Sequence, residues 1–184
     1  MLGQILDFLA DTLITFFVVL LVARFLLQWL RVSFRNPLGE FVVLTTNWLV
    51  RPARRVVPGW GGLDLATLLL AWLLQGAALW IHAAIAGAHI AAAALIAVAF
   101  VDLLRFAIYI LVFAVIMQVV FSWVNPQAPL APVFDAITRP FLRPLRRIVP
   151  PIANVDLSPA VLFLLLQVAL IVWRYLAAAA ASIA

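Results

Sequence analysis

Apolar residues fill four long runs of this chain, at about residues 6–30, 64–86, 101–124 and 157–181. A helix rises about 1.5 Å per residue, so each run is long enough to cross a hydrocarbon core about 30 Å thick. Arginine- and proline-rich stretches follow the first and third runs, and Asn125-Pro126 closes the third. Within the first stretch Phe41, Leu44, Trp48 and Leu49 recur at spacings of three and four, and arginines gather at its far end. Val133, Phe134 and Ile137 repeat the pattern in the second. This predicts a short amphipathic helix along the membrane surface in each loop, with Trp48 as an interfacial anchor. Pro52 and Pro58 are expected to limit the first.

Asp64 and Asp156 stand where the second and fourth spans begin, as N-caps whose carboxylates complement the helix dipole. The second and third spans are not separated so cleanly. Residues 83–100 are almost all Ala, Ile, Val and Gly, with His89 the one ionisable group among them. Asp102 and Arg105, three apart, are expected to mark the membrane interface at the start of span three. Arg24, within two turns of the end of span one, is expected to snorkel to the headgroups. Asp7 and Asp11 occupy the place of a basic leader segment, so the first run reads as a retained span.

The two loops share more than a pattern. Arg51, Arg54, Arg55, Pro58 and Asp64 are matched by Arg143, Arg146, Arg147, Pro150 and Asp156, each 92 residues later. The chain is therefore a tandem duplication, residues 1–92 and 93–184. The expected fold is an all-α membrane protein of four transmembrane helices. They form two parallel helical-hairpin repeats, each with an amphipathic interfacial helix. Nine of the twelve arginines lie in the two arginine-rich loops. That bias places both loops in the cytoplasm and both termini on the periplasmic side of a bacterial inner membrane. Each repeat has an even number of spans, so the copies point the same way.

Composition agrees. The 184 residues are 68% hydrophobic and only 10% charged, with mean hydropathy +1.22, against about 45–50% apolar and 25% charged in soluble domains. Cysteine is absent, which excludes disulfides and thiolate chemistry. The net charge of +5 reports topology here; no aromatic platform or recognised fold points to nucleic acid.

Arg-Pro-x-Arg-Arg-x-Val-Pro followed by Asp-Leu occurs twice, and Gln28-Trp29 and Ser122-Trp123 close the preceding helices. In these features the chain resembles the YggT family, which includes the YlmG-like proteins of cyanobacteria and plastids. The likeness covers essentially the whole chain. Asp156-Leu157-Ser158-Pro159 is nearer the family pattern than Asp64-Leu65-Ala66-Thr67, and Asn47-Trp48 stands where repeat two has Arg139-Pro140. The resemblance implies links to osmotic and ionic stress, to cell division and nucleoid distribution, and to assembly of a plastid cytochrome complex. It implies no catalytic residue.

The candidate site residues fall into groups. Arg51, Arg54, Arg55, Arg139, Arg143, Arg146 and Arg147 are expected to bind anionic lipid or a partner protein, since guanidinium pairs bidentately with carboxylate or phosphate. Asp64 and Asp156 are read as helix caps and counter-charges. Gln75 and Gln167, also 92 apart, lie eleven residues past their aspartates, about 16 Å into the membrane. With Gln28 and Gln118 they are expected to set helix packing, or else to line a transport path. His82 and His89, two turns apart, could share a helix face as metal or haem ligands; without a further ligand nearby they read as interfacial. The serines have no adjacent base, so no enzyme, cofactor or metal site is expected. The favoured function is a scaffold or assembly factor with a membrane-protein partner or a second copy of itself. The alternative is a component of ion transport or osmotic homeostasis.

Overall fold

The computed structural model describes residues 2–59, 62–149 and 156–183. Pro150, Pro151 and Val155 of the second motif lie outside these described residues. Among them the chain forms six helices and no strand: α1 (Leu2–Trp29), α2 (Pro37–Val56), α3 (Leu65–Ile85), α4 (Ala92–Val124), α5 (Ala131–Ile148) and α6 (Ser158–Ala181). The helices α1, α3, α4 and α6 are long and apolar enough to cross a membrane. This is an all-α, multi-pass membrane architecture.

The order long, shorter, long is played twice. α1 packs on α3 and α4 on α6, while α2 rests on α1 and α3, and α5 on α4 and α6. The halves meet along α3–α4 and α1–α4, which makes α4 the central helix. One apolar cluster joins Val18, Leu21 and Val22 of α1 to Val50, Ala71, Leu103 and Phe106; a second links Leu27 to Ala114 and Phe134. Small residues such as Ala71, Ala78, Ala99 and Ala114 are buried, as expected where membrane helices approach closely. Large apolar side chains such as Leu13, Phe16, Leu73 and Leu164 are exposed, and a hydrocarbon solvent suits them.

Local chemistry sets the helix ends. Asn36 caps α2, accepting from the Gly39 N–H at 2.8 Å, with Pro37 at the first helical position. α3 closes in a Schellman motif, in which Ala88 N–H donates to the Ala83 carbonyl at 2.9 Å and Gly87 takes φ +66°. Gly87 is thus the stop signal between spans two and three. Beyond it nothing resists helix formation, so α4 starts at Ala92, about nine residues before the expected start of span three. The two histidines consequently do not share a face: His82 is on α3, and His89 is in the α3–α4 turn.

This early start corrects the expectation for Asp102 and Arg105. Asp102 lies ten residues inside α4 and is buried, accepting from Gln75 Nε2 at 2.8 Å. Arg105 Nη2 lies 3.4 Å from it, and the Arg105 guanidinium stacks over Phe106 and Trp173. Two indole N–H groups also find carbonyls of α4, Trp72 on Ile96 and Trp173 on Val101. A second correction concerns proline. α2 continues through Pro52 to Val56, and α5 through Pro140 and Pro144, all three exposed on their helices.

Gln75→Leu is expected to lower stability by about 1–2 kcal/mol, because Asp102 loses its buried donor. Gln167 makes no side-chain hydrogen bond among the described residues, so Gln167→Leu should stay within about 0.5 kcal/mol of wild type. Unfolding in mixed micelles compares the two.

Candidate functional site

The motif residues converge at the end of the bundle where α1 ends and α3 begins, and again where α4 ends and α6 begins. In repeat one the last turn of α2 presents Arg54 to Asp64, with Nη2 and Nε at 2.5 and 3.2 Å from Oδ2. Asp64 is also the N-cap of α3, accepting from the Thr67 N–H at 3.3 Å and from the Thr67 hydroxyl. In repeat two Arg146 Nε donates to Asp156 Oδ2 at 2.8 Å, and the Ser158 N–H donates to Oδ1 at 2.9 Å. Asp156 stands one residue before the N-cap position, Leu157, and so differs from the expected cap by a single step. Each pair spans ten residues and clamps the shorter helix onto the start of the next span.

The clamps differ in burial. Asp64 is 3% exposed and Asp156 39%, while their arginines are about equally exposed, 45% and 44%. Burial alone would raise both carboxyl pKa values. For Asp64 the hydrogen bonds from Arg54 and Thr67 and the charge of Arg54 outweigh it, and for Asp156 those from Ser158 and Arg146 do, so both lie below the ordinary carboxylate value.

The seven candidate arginines therefore separate by role. Arg54 and Arg146 hold the clamps, and Arg139 pairs with Asp135 one turn away. Arg51, Arg55, Arg143 and Arg147 are exposed and make no ion pair among the described residues. They stand four apart on each helix, at matched positions of the two repeats. Phe41, Leu44 and Trp48 are exposed on α2, whereas Val42, Thr46 and Val50 are buried. Leu49, grouped with the exposed residues by spacing, packs instead against the core, and on α5 the counterparts Val133, Phe134 and Ile137 are all buried, so that face meets the bundle.

Arg24 is the residue whose place departs most from expectation. It does not snorkel: it is 4% exposed, donating Nη1 to Thr46 Oγ1 at 2.7 Å and Nη2 to Asn47 Oδ1 at 3.1 Å. It lines a cavity of about 590 Å³ with Gln28, Arg54 and Asp64. Gln28 donates to the Gly62 carbonyl at 3.5 Å and accepts from Arg54 at 3.5 Å, so it belongs to this site and not to the mid-membrane layer. Repeat two has a matching cavity of about 410 Å³ beside Gln118, Ser122, Arg146 and Asp156. Gln118 Oε1 is buried there without a hydrogen-bond partner among the described residues. Gln28-Trp29 and Ser122-Trp123 are 94 apart, and the same offset sets Gln118 opposite Arg24; that register could have exposed the pairing.

At the other end of α1, His82 Nε2 lies 3.7 and 3.8 Å from Asp11 and Asp7, and its Nδ1 is 2.8 Å from the Ala78 carbonyl. Among the described residues no three His, Asp or Glu side chains stand together as metal ligands.

A family model described as CCB3/YggT matches the chain in two segments, residues 3–85 and 97–177. The Escherichia coli K12 protein YggT, described as uncharacterised, is 34% identical over 165 residues, covering 89% of this chain and 86% of its own length. An uncharacterised Pseudomonas aeruginosa protein is 34% identical over 164 residues, 87% of this chain and 83% of that one. No solved structure matches the chain.

Arg54→Ala is expected to cost about 2 kcal/mol, the penalty of stranding a buried carboxylate discounted for the half-exposed arginine, and Arg146→Ala at most about 1 kcal/mol. The unfolding midpoints of the two variants should rank accordingly. A lowered folded-state pKa means that the unfolded chain binds more protons on acidification. The clamps thus stabilise fully above the unfolded carboxyl pKa of about 4 and lose their contribution as pH falls through the folded value. Stability measured against pH should fall more steeply for wild type than for Arg54→Ala.

Proposed function

The chain belongs to the CCB3/YggT family of membrane proteins, and from that premise we propose that it is a non-enzymatic scaffold of the bacterial cytoplasmic membrane. In this reading α2 and α5 lie along the cytoplasmic surface. Their arginines engage anionic lipid headgroups or an acidic segment of a partner membrane protein. The observation that carries it is the set of four exposed guanidinium groups without an ion pair among the described residues, Arg51, Arg55, Arg143 and Arg147, at matched positions of both repeats. Fixing topology needs positive charge, but it does not need matched positions four residues apart. On α2 the exposed Phe41, Leu44 and Trp48 beside Arg51 and Arg55 suit burial at the acyl–headgroup boundary.

Ion transport is the competing reading, motivated by the intramembrane glutamines. Between the basic end of α1 and the Gln75–Asp102 layer, however, Val18, Leu21, Leu103 and Phe106 pack together, which favours a closed interior.

Reversing all four free arginines to glutamate is expected to leave the protein folded and to release whatever wild type retains after mild detergent extraction, read by native gel and mass spectrometry. Retention of the same lipids and partners by the reversed protein would contradict the reading. In liposomes the purified protein is expected to conduct no ions. A flux abolished by Gln75→Leu with Gln167→Leu would establish the transport reading instead.

A further inference from the structure

The cavity at the end of α1 holds a guanidinium, Arg24, that makes no ion pair among the described residues. Arg24 is buried, and its hydrogen bonds go to the neutral acceptors Thr46 and Asn47. None of the seven acidic side chains makes an ion pair with it among the described residues, and Asp64 is already taken by Arg54 and Thr67. A guanidinium has five N–H groups, of which Arg24 spends two. Burying an unpaired cation is costly, and the common remedy is an anion. Two guanidinium groups and one carboxylate line the cavity, leaving it positive overall.

Repeat two is an internal control. Its matching cavity has glutamine in place of Arg24, serine in place of Gln28, and one arginine against one aspartate. Its walls are neutral overall. Both halves carry the clamp, and the surplus cation is in the first.

We propose that the repeat-one cavity binds a single phosphate-bearing anion, held by Arg24 and Arg54 beside the Gln28 amide, and that the repeat-two cavity does not. Planar guanidinium donors match phosphate oxygens in pairs, and a phosphodiester carries the one negative charge that the walls lack. A lipid headgroup and free phosphate both offer this chemistry. The site goes beyond the surface reading, since Arg51, Arg55, Arg143 and Arg147 are not among the residues lining it.

The test uses the full chain in detergent, stripped of lipid, with binding followed by native mass spectrometry and titration calorimetry. The probes are short-chain phosphatidylglycerol, diacylglycerol and inorganic phosphate. One phosphatidylglycerol per chain is expected, no diacylglycerol, and at least about a tenfold loss of affinity in Arg24→Gln. Competition by inorganic phosphate identifies the phosphate group as what is recognised; binding of inorganic phosphate alone assigns the free ion. Asn47→Asp is the second variant. It places a carboxylate against Arg24, should leave the protein at least as stable, and should abolish binding. Phosphatidylglycerol and diacylglycerol bound equally, no anion bound by folded wild type, or undiminished binding in Asn47→Asp would each overturn the proposal.

Discussion

An arginine on one helix and an aspartate at the start of the next hold each half of this molecule closed. The acid has two duties: it neutralises the arginine, and it satisfies backbone N–H groups at the head of the following span. One side chain thereby ties the last turn of the shorter helix to the start of the span. An uncompensated charge or unsatisfied N–H at the head of a membrane span is costly, and this junction pairs both. In repeat one the carboxylate is hidden from solvent, although Arg54 is half-exposed. The two clamps thus differ in the acid alone, which is buried in repeat one and exposed in repeat two, where the pair is a looser latch.

Beyond the clamps the halves have diverged. Repeat one pairs its mid-span Gln75 with Asp102 of α4, and it holds Arg24 against α2. Gln167, the counterpart of Gln75, has no partner of that kind among the described residues. The polar load of the bundle is thus concentrated on the α1–α3–α4 side, while α6 packs on α4 largely through apolar side chains, with Trp173 as its hydrogen-bonding contact. The halves share a common frame, and Arg24 is the buried cation of the first, with Gln118 at the matching place of the second.

Much of this was legible in the amino-acid sequence because it is written as spacing. The four spans, the repeat and the Arg–Asp motif follow from run lengths and a constant offset. The start of α4 did not, because Ala, Ile and Val carry no boundary signal and Gly87 alone makes the turn. Arg24 and Asp102 were misplaced for a related reason. A lone charge in an apolar run looks like a snorkelling or interfacial residue until its partners on other helices, Thr46, Asn47 and Gln75, are known. The division of the arginines into clamping and free residues likewise depends on which of them reaches an aspartate, and sequence distance does not reveal that.

The clamp is tested most directly by a double-mutant cycle at repeat one, with Arg54→Gln and Asp64→Asn, the latter chosen because asparagine still caps the helix. Unfolding free energies of the two single variants and the double variant should show a favourable coupling of about 1–3 kcal/mol. Strict additivity, with no coupling between the two positions, would show that the pair does not hold the repeat together.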